Sequence, residues 1–154
     1  MEGAGKSGIV AVDVETTIEI ARPRAEVAAF AADPDNVHAW YRNIRRVEWL
    51  TERPLQVGTR LAFAAEFLGR RMAYTYEVVE HEPGERLVMR TADGPFPMET
   101  TYTWVDGPAG STVMALRNRG EPAGFSAIAS PMMAAGIRRN NRSDLQRLKQ
   151  VLEH

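Results

Sequence analysis

Few side chains in this sequence could do chemistry, and the missing ones narrow the field first. There is no cysteine, and the three histidines are His38, His81 and His154. Disulfides, thiolate nucleophiles and cysteine-ligated zinc or iron–sulfur sites are excluded. The closing Leu152-Glu153-His154 looks like the start of a purification tag, so residues 152–154 are set aside and two native histidines remain. That is too few for a multi-histidine centre, and neither a metal nor another cofactor is expected. Gly3-Ala4-Gly5-Lys6-Ser7 imitates the end of a phosphate-binding loop, but the loop needs a glycine five residues before Gly5 and a strand ahead of it. The sequence shows neither ahead of Gly5, so a nucleotide site is not expected, and residues 1–9 read as a tail. The groups left are phenols, hydroxyls and amides: Tyr41, Tyr74, Tyr76, Tyr102, Thr100 and Asn141. These can hold a carbonyl or an enol, or exchange a proton with one, provided that something gathers them.

The gathering elements follow from periodicity. Val12, Val14, Thr16, Ile18 and Ile20 alternate with Asp13, Glu15, Thr17 and Glu19, the pattern of a half-buried strand. Pro23 opens a short helix carrying Val27, Phe30 and Ala31, Asp33-Pro34-Asp35-Asn36 stops it, and a second short helix runs from Val37 to Tyr41. Ile44 to Leu50 is the next strand, and an antiparallel meander begins at residue 58. With Gly69-Arg70 as a two-residue turn, Phe67 opposes Met72, Ala65 opposes Tyr74, Phe63 opposes Tyr76 and Leu61 opposes Val78. The turn Glu82-Pro83-Gly84-Glu85 sets Val78 against Met89 and Tyr76 against Thr91. A turn at Asp93-Gly94-Pro95 brings Met98, Thr100, Tyr102 and Trp104 to the same face.

One sheet face is therefore large and aromatic. The other carries Ala62, Ala64, Glu66, Glu77, His81, Arg90 and Glu99, with Glu80 near the edge of the aromatic face. A one-residue slip would invert every assignment. The last strand, about 111–119, follows a longer loop, and its facing is undecided. Ser130-Pro131 then reads as an N-cap and first helical residue. Met133, Ile137, Leu145, Leu148, Val151 and Leu152 form one apolar stripe, and Asn141 falls inside it.

This order, with Ile20-Ala21-Arg22-Pro23, Asp33-Pro34-Asp35-Asn36 before Trp40, Val57-Gly58-Thr59, Glu82-Pro83-Gly84-Glu85-Arg86-Leu87 and Asn141 to Lys149, resembles the START-like (SRPBCC) superfamily. Within it, the likeness is to the polyketide cyclase/dehydrase-like and lipid-transport-like branch. The resemblance implies an α+β helix-grip fold over residues 10–152. A curved antiparallel sheet of about seven strands would wrap a long C-terminal helix, with an apolar cavity between them. It also implies a hydrophobic, aromatic or polyketide-like ligand.

The residues expected around that ligand are Trp40, Tyr41, Phe63, Phe67, Tyr74, Tyr76, Met89, Met98, Thr100, Tyr102, Trp104, Met133, Ile137 and Asn141. Each has a plainer reading as core. The tyrosines could satisfy one another, Trp40 and Tyr41 could plug one end of the sheet, and methionine on an apolar face is usually packing. Asn141 costs about 1–3 kcal/mol if unpaired, so it should meet a tyrosine, Thr100, water or the ligand, unless the helix bends it to solvent. Phe125 and Ile128, among Gly120, Pro122 and Gly124, are a gate or an inert connector.

No catalytic residue can be assigned, since no paired carboxylates face inward on this register. A cofactor-independent cyclase or aromatase is the alternative function, and a co-chaperone-like interaction module with little or no cavity is a third. The formal charge of 19 minus 20, or −1, gives no reason to expect nucleic acid. The basic stripe Arg138, Arg139, Arg142, Arg147 and Lys149 reads as a solvated helix face. No apolar run is long enough to cross a bilayer and the N-terminus has no signal-peptide core, so a cytoplasmic protein without membrane insertion is expected. A homodimer is compatible with everything read.

Overall fold

The computed structural model describes residues 12–67, 69–94, 97–120 and 129–154. The chain runs β1 (Val12–Ile20), α1 (Arg24–Ala32), a 3-10 turn (Pro34–Asn36), α2 (Val37–Trp40) and β2 (Ile44–Trp49). It continues with β3 (Arg60–Phe67), β4 (Arg70–Glu82), β5 (Arg86–Asp93), β6 (Met98–Asp106), β7 (Thr112–Gly120) and α3 (Ala129–Glu153). The strands form one antiparallel sheet in the order β1-β7-β6-β5-β4-β3-β2. This is the helix-grip arrangement, with the sheet's aromatic face turned to α3. Residues 1–9, Pro95 and the candidate gate at Pro122, Gly124, Phe125 and Ile128 lie outside the described residues.

Alternation in β1 holds: Val12, Val14 and Ile20 are buried, while Asp13, Glu15 and Glu19 are exposed. The β3–β4 hairpin departs from the expected pairing by two residues, because Gly69, at φ 76°, is the second turn residue and not the first. Phe67 pairs with Arg70, Ala65 with Met72, Phe63 with Tyr74 and Leu61 with Tyr76. A left-handed φ costs glycine little, and a displacement of two leaves every side chain on its face.

At the next turn the Glu85 N–H donates to the Glu82 carbonyl at 2.9 Å, as Pro83-Gly84 predicts. Pairing there is Glu82 with Arg86, one residue longer than expected, and a bulge between Val78 and Glu80 restores Val78 opposite Met89 and Tyr76 opposite Thr91. The bulge reverses two expectations. His81 lies opposite Leu87, whose side chain is buried, so it takes the inner parity; Glu80 turns outward to an ion pair with Arg86 at 3.1 Å. A second bulge between Thr75 and Tyr76 adds to the bend of this 13-residue strand.

The outer face is laced by cross-strand pairs, Arg60 with Glu77 at 3.1 Å and Arg90 with Glu99 at 2.7 Å. β7 settles its own facing: Thr112, Met114, Leu116 and Asn118 are buried, and Arg117 and Arg119 point out to Asp13 and Glu99. Helix α3 is already formed at Ala129, so Ser130 is a helical residue and not the N-cap that Ser130-Pro131 suggested. Met133, Ile137, Asn141, Asp144, Leu145 and Leu148 are its buried stripe. Val151, expected in that stripe, is 40% exposed, whereas Leu152 after it still packs against the core.

Candidate functional site

Between the sheet and α3 lies a cavity of about 140 Å³. Its walls come from β3 to β6, from Ala31 to Pro34 at the end of α1, from Leu55 in the β2–β3 loop and from α3. Asp35 fastens the loop side. It accepts from the Trp49 indole at 3.0 Å and from Arg53 at 3.0 Å, and the Arg53 guanidinium stacks 4.6 Å over the Trp49 ring. Of the residues expected around a ligand, Tyr41, Phe63, Tyr74, Tyr76, Met89, Met98, Thr100, Tyr102, Ile137 and Asn141 line this cavity.

Trp40, Trp104 and Met133 do not line it. Trp40 is fully buried behind Tyr41, with ring centroids 4.3 Å apart. Trp104 packs edge-on to Tyr102 at 6.0 Å, and Met133 belongs to a separate cluster with Val12, Val14 and Ile137. The indole N–H groups of both tryptophans have no partner among the described residues, so their place is set by packing and not by polar contact. The side chain of Phe67 lies outside the described residues.

Two polar lines cross the cavity wall. The Asn141 amide donates to the Asn118 carbonyl oxygen at 2.6 Å, and the Asn118 amide donates to Thr100 Oγ1 at 2.8 Å. Thr100 Oγ1 lies 2.6 Å from the Tyr76 hydroxyl. Helix, β7, β6 and β4 are thereby joined through side chains alone, and the amide in the apolar stripe is satisfied without bending to solvent. The second line joins the hydroxyls of Tyr41 and Tyr102 at 2.8 Å.

Burial pushes the Tyr76 phenol up to about 12, against the opposing hydrogen bond from Thr100. It pushes Tyr41, Tyr74 and Tyr102 well above the usual phenol range. All four stay protonated near neutral pH and so keep a proton to donate. Tyr74, stacked on Phe63 at 5.4 Å and edge-on to Tyr76 at 5.2 Å, has no hydrogen-bond partner for its hydroxyl among the described residues.

Of the carboxyl residues that line the cavity, Asp33, Glu66 and Asp144, only Asp144 is buried. Asp144 is 2% exposed, lines the cavity and accepts the Arg42 backbone N–H at 3.3 Å. Burial pushes it up to about 6; the Arg42 N–H and the charges of Arg147 and Arg42 act the other way. Sequence reasoning missed it while searching the strands, although Asn141, Asp144 and Leu148 have the 3- and 4-residue spacing of one helical stripe. Asn118 was missed because its strand had no assigned facing.

A model of the family described as polyketide cyclase/dehydrase and lipid transport matches residues 11–153. The chain belongs to that family. No curated protein matches it. Its fold is that of the ZhuI aromatase/cyclase from Streptomyces sp. R1128, with a TM-score of 0.80 at 20% identity over 93% of this chain and 94% of that one. A START superfamily protein from Mycobacterium smegmatis gives a TM-score of 0.71 at 17% identity, covering 92% and 94% of the two chains. A protein from Thermus thermophilus gives 0.78 at 18% identity over 90% and 94%. At these identities the structural likenesses carry the fold alone. Among the described residues of this polyketide cyclase/dehydrase and lipid transport family member, no helix is long and apolar enough to cross a membrane.

Proposed function

We propose that this family member binds a hydrophobic, aromatic or polyketide-like small molecule in the cavity between its sheet and α3. The observation that carries the reading is a partly open cavity walled by Phe63, Tyr74, Tyr76 and Tyr102, in which one phenol has no hydrogen-bond partner among the described residues and can orient a guest. Pockets that hold small molecules have this composition, apolar walls with a few placed polar groups. A solid core would have closed over the space, since interiors pack to crystal-like density. The interaction-module reading required little or no cavity, and the cavity argues against it.

The neutral dye N-phenyl-1-naphthylamine, which fluoresces in apolar surroundings, tests this. Wild type should bind it saturably, and Ala65→Phe, which places a ring in the cavity from a wall position 7% exposed, should lose at least about tenfold in affinity, or about 1.4 kcal/mol. No binding by wild type, or undiminished binding by a folded Ala65→Phe, would overturn the proposal.

A second reading, cofactor-independent cyclisation, is favoured by one observation. Asp144 titrates near 6 within electrostatic reach of Tyr41 and Tyr102, and a group that titrates near working pH is suited to general acid–base transfer. Under that reading, turnover of a candidate polyketide collapses in Asp144→Asn while its binding persists. Turnover that survives Asp144→Asn would remove the carboxyl from the mechanism.

A further inference from the structure

The inner cavity does not end at its aromatic wall. It adjoins a second, polar chamber of about 250 Å³, and Asn43, Glu66 and Asn140 line both. The outer chamber is completed by Gly69, Gly136 and Arg139. Position 136 contributes no side chain to the chamber, at the usual cost of roughly 0.5–1 kcal/mol for a glycine inside a helix. The exposed Arg139 makes no ion pair or hydrogen bond among the described residues, whereas Arg60, Arg90 and Arg117 on the outer sheet face are matched to carboxylates across strands. Glu66, the one acidic side chain among the described residues of the chamber, is already taken: Arg45 holds it at 2.7 Å and Arg71 at 3.8 Å, which keeps its carboxyl below the usual range. Among the described residues, the compartment therefore runs from apolar inside to a positive charge without a carboxylate partner at its outer end.

We infer that the guest is an anionic amphiphile, with its apolar body in the inner cavity and an acidic group in the outer chamber against Arg139. This deepens the binding proposed above and rests on it. A carboxylate or sulfonate there gains a charge-assisted hydrogen bond without leaving water entirely, while the uncharged body takes the largely apolar inner space, which a charge enters only at a desolvation penalty.

A matched pair of dyes separates the two ideas. 1-Anilinonaphthalene-8-sulfonate and N-phenyl-1-naphthylamine share one aromatic skeleton and differ by the sulfonate. Arg139→Gln should weaken the sulfonate dye about three- to tenfold, the range for a partly solvated charged contact, and leave the neutral dye within about twofold. High salt should weaken the sulfonate dye alone. Arg138→Gln, one residue along the helix and outside the chamber, should change neither. Equal effects of Arg139→Gln on both dyes, no effect on either, or an equal loss with Arg138→Gln would overturn the anionic end while leaving cavity binding in place. If neither dye binds wild type, both proposals fall together.

Discussion

Asp144 is where burial and charge conflict most sharply. Its carboxyl is raised from an unfolded value near 3.8 to about 6, so the folded state holds its proton more tightly. The resulting stabilisation is complete below about pH 3.8 and is lost as pH rises through about 6. Asp144→Asn keeps an oxygen for the Arg42 N–H and removes the buried charge. It should raise stability at pH 8 by about 1–3 kcal/mol, change little at pH 4, and flatten the dependence between; urea melts at the two pH values read this directly. The side-chain relay behaves oppositely. Asn118→Leu strands the Asn141 amide and one side of Thr100 together, and should destabilise by about 2–4 kcal/mol, more than a single lost hydrogen bond.

At the scale of elements, two contacts govern the cavity's shape. A Cβ on Gly94 would lie 2.9 Å from the Tyr74 Cβ, closer than carbon atoms tolerate, so Gly94→Ala must move the β5 end or the ring that walls the cavity. A loss of about 1–3 kcal/mol is expected, with weaker dye binding, measurable by thermal melting and titration on one sample. Helix α3 is held by Leu145 and Leu148, both fully buried against the sheet. Leu148→Ala should cost about 2–5 kcal/mol in denaturant unfolding, since no neighbour is free to fill the space. The paired bulges of β4 belong to the same scale. They bend the strand and re-aim its far end, which is why His81 and Glu80 exchanged faces.

For the whole molecule, the cavity is an energetic liability that a guest would relieve. Any molecule bound to the folded state alone stabilises it by RT ln(1 + [L]/Kd), about 2.7 kcal/mol at a hundredfold excess over Kd. Saturating N-phenyl-1-naphthylamine should therefore raise the melting temperature of wild type by several degrees and leave Ala65→Phe unmoved; equal shifts in both would place the dye outside the cavity.

The fold was legible in the sequence because strand alternation and helical stripes are local signals. The two-residue error in the β3–β4 pairing did no harm, since a period of two returns each side chain to its own face. Phe63, Tyr74, Tyr76, Thr100 and Tyr102 were therefore gathered from alternation and turn chemistry alone. The facing of β7, the reach of α3 and the bulge at Val78 depend on contacts between residues far apart in the chain, and no local pattern encodes those. Only tertiary structure could set Trp40 and Trp104 behind the cavity wall, join Asn141 to Tyr76 through Asn118 and Thr100, and bring the Asp144 carboxyl beside buried phenols. Which apolar residues become wall and which become filling is decided by how the curved sheet closes on the helix, a property of the assembled packing.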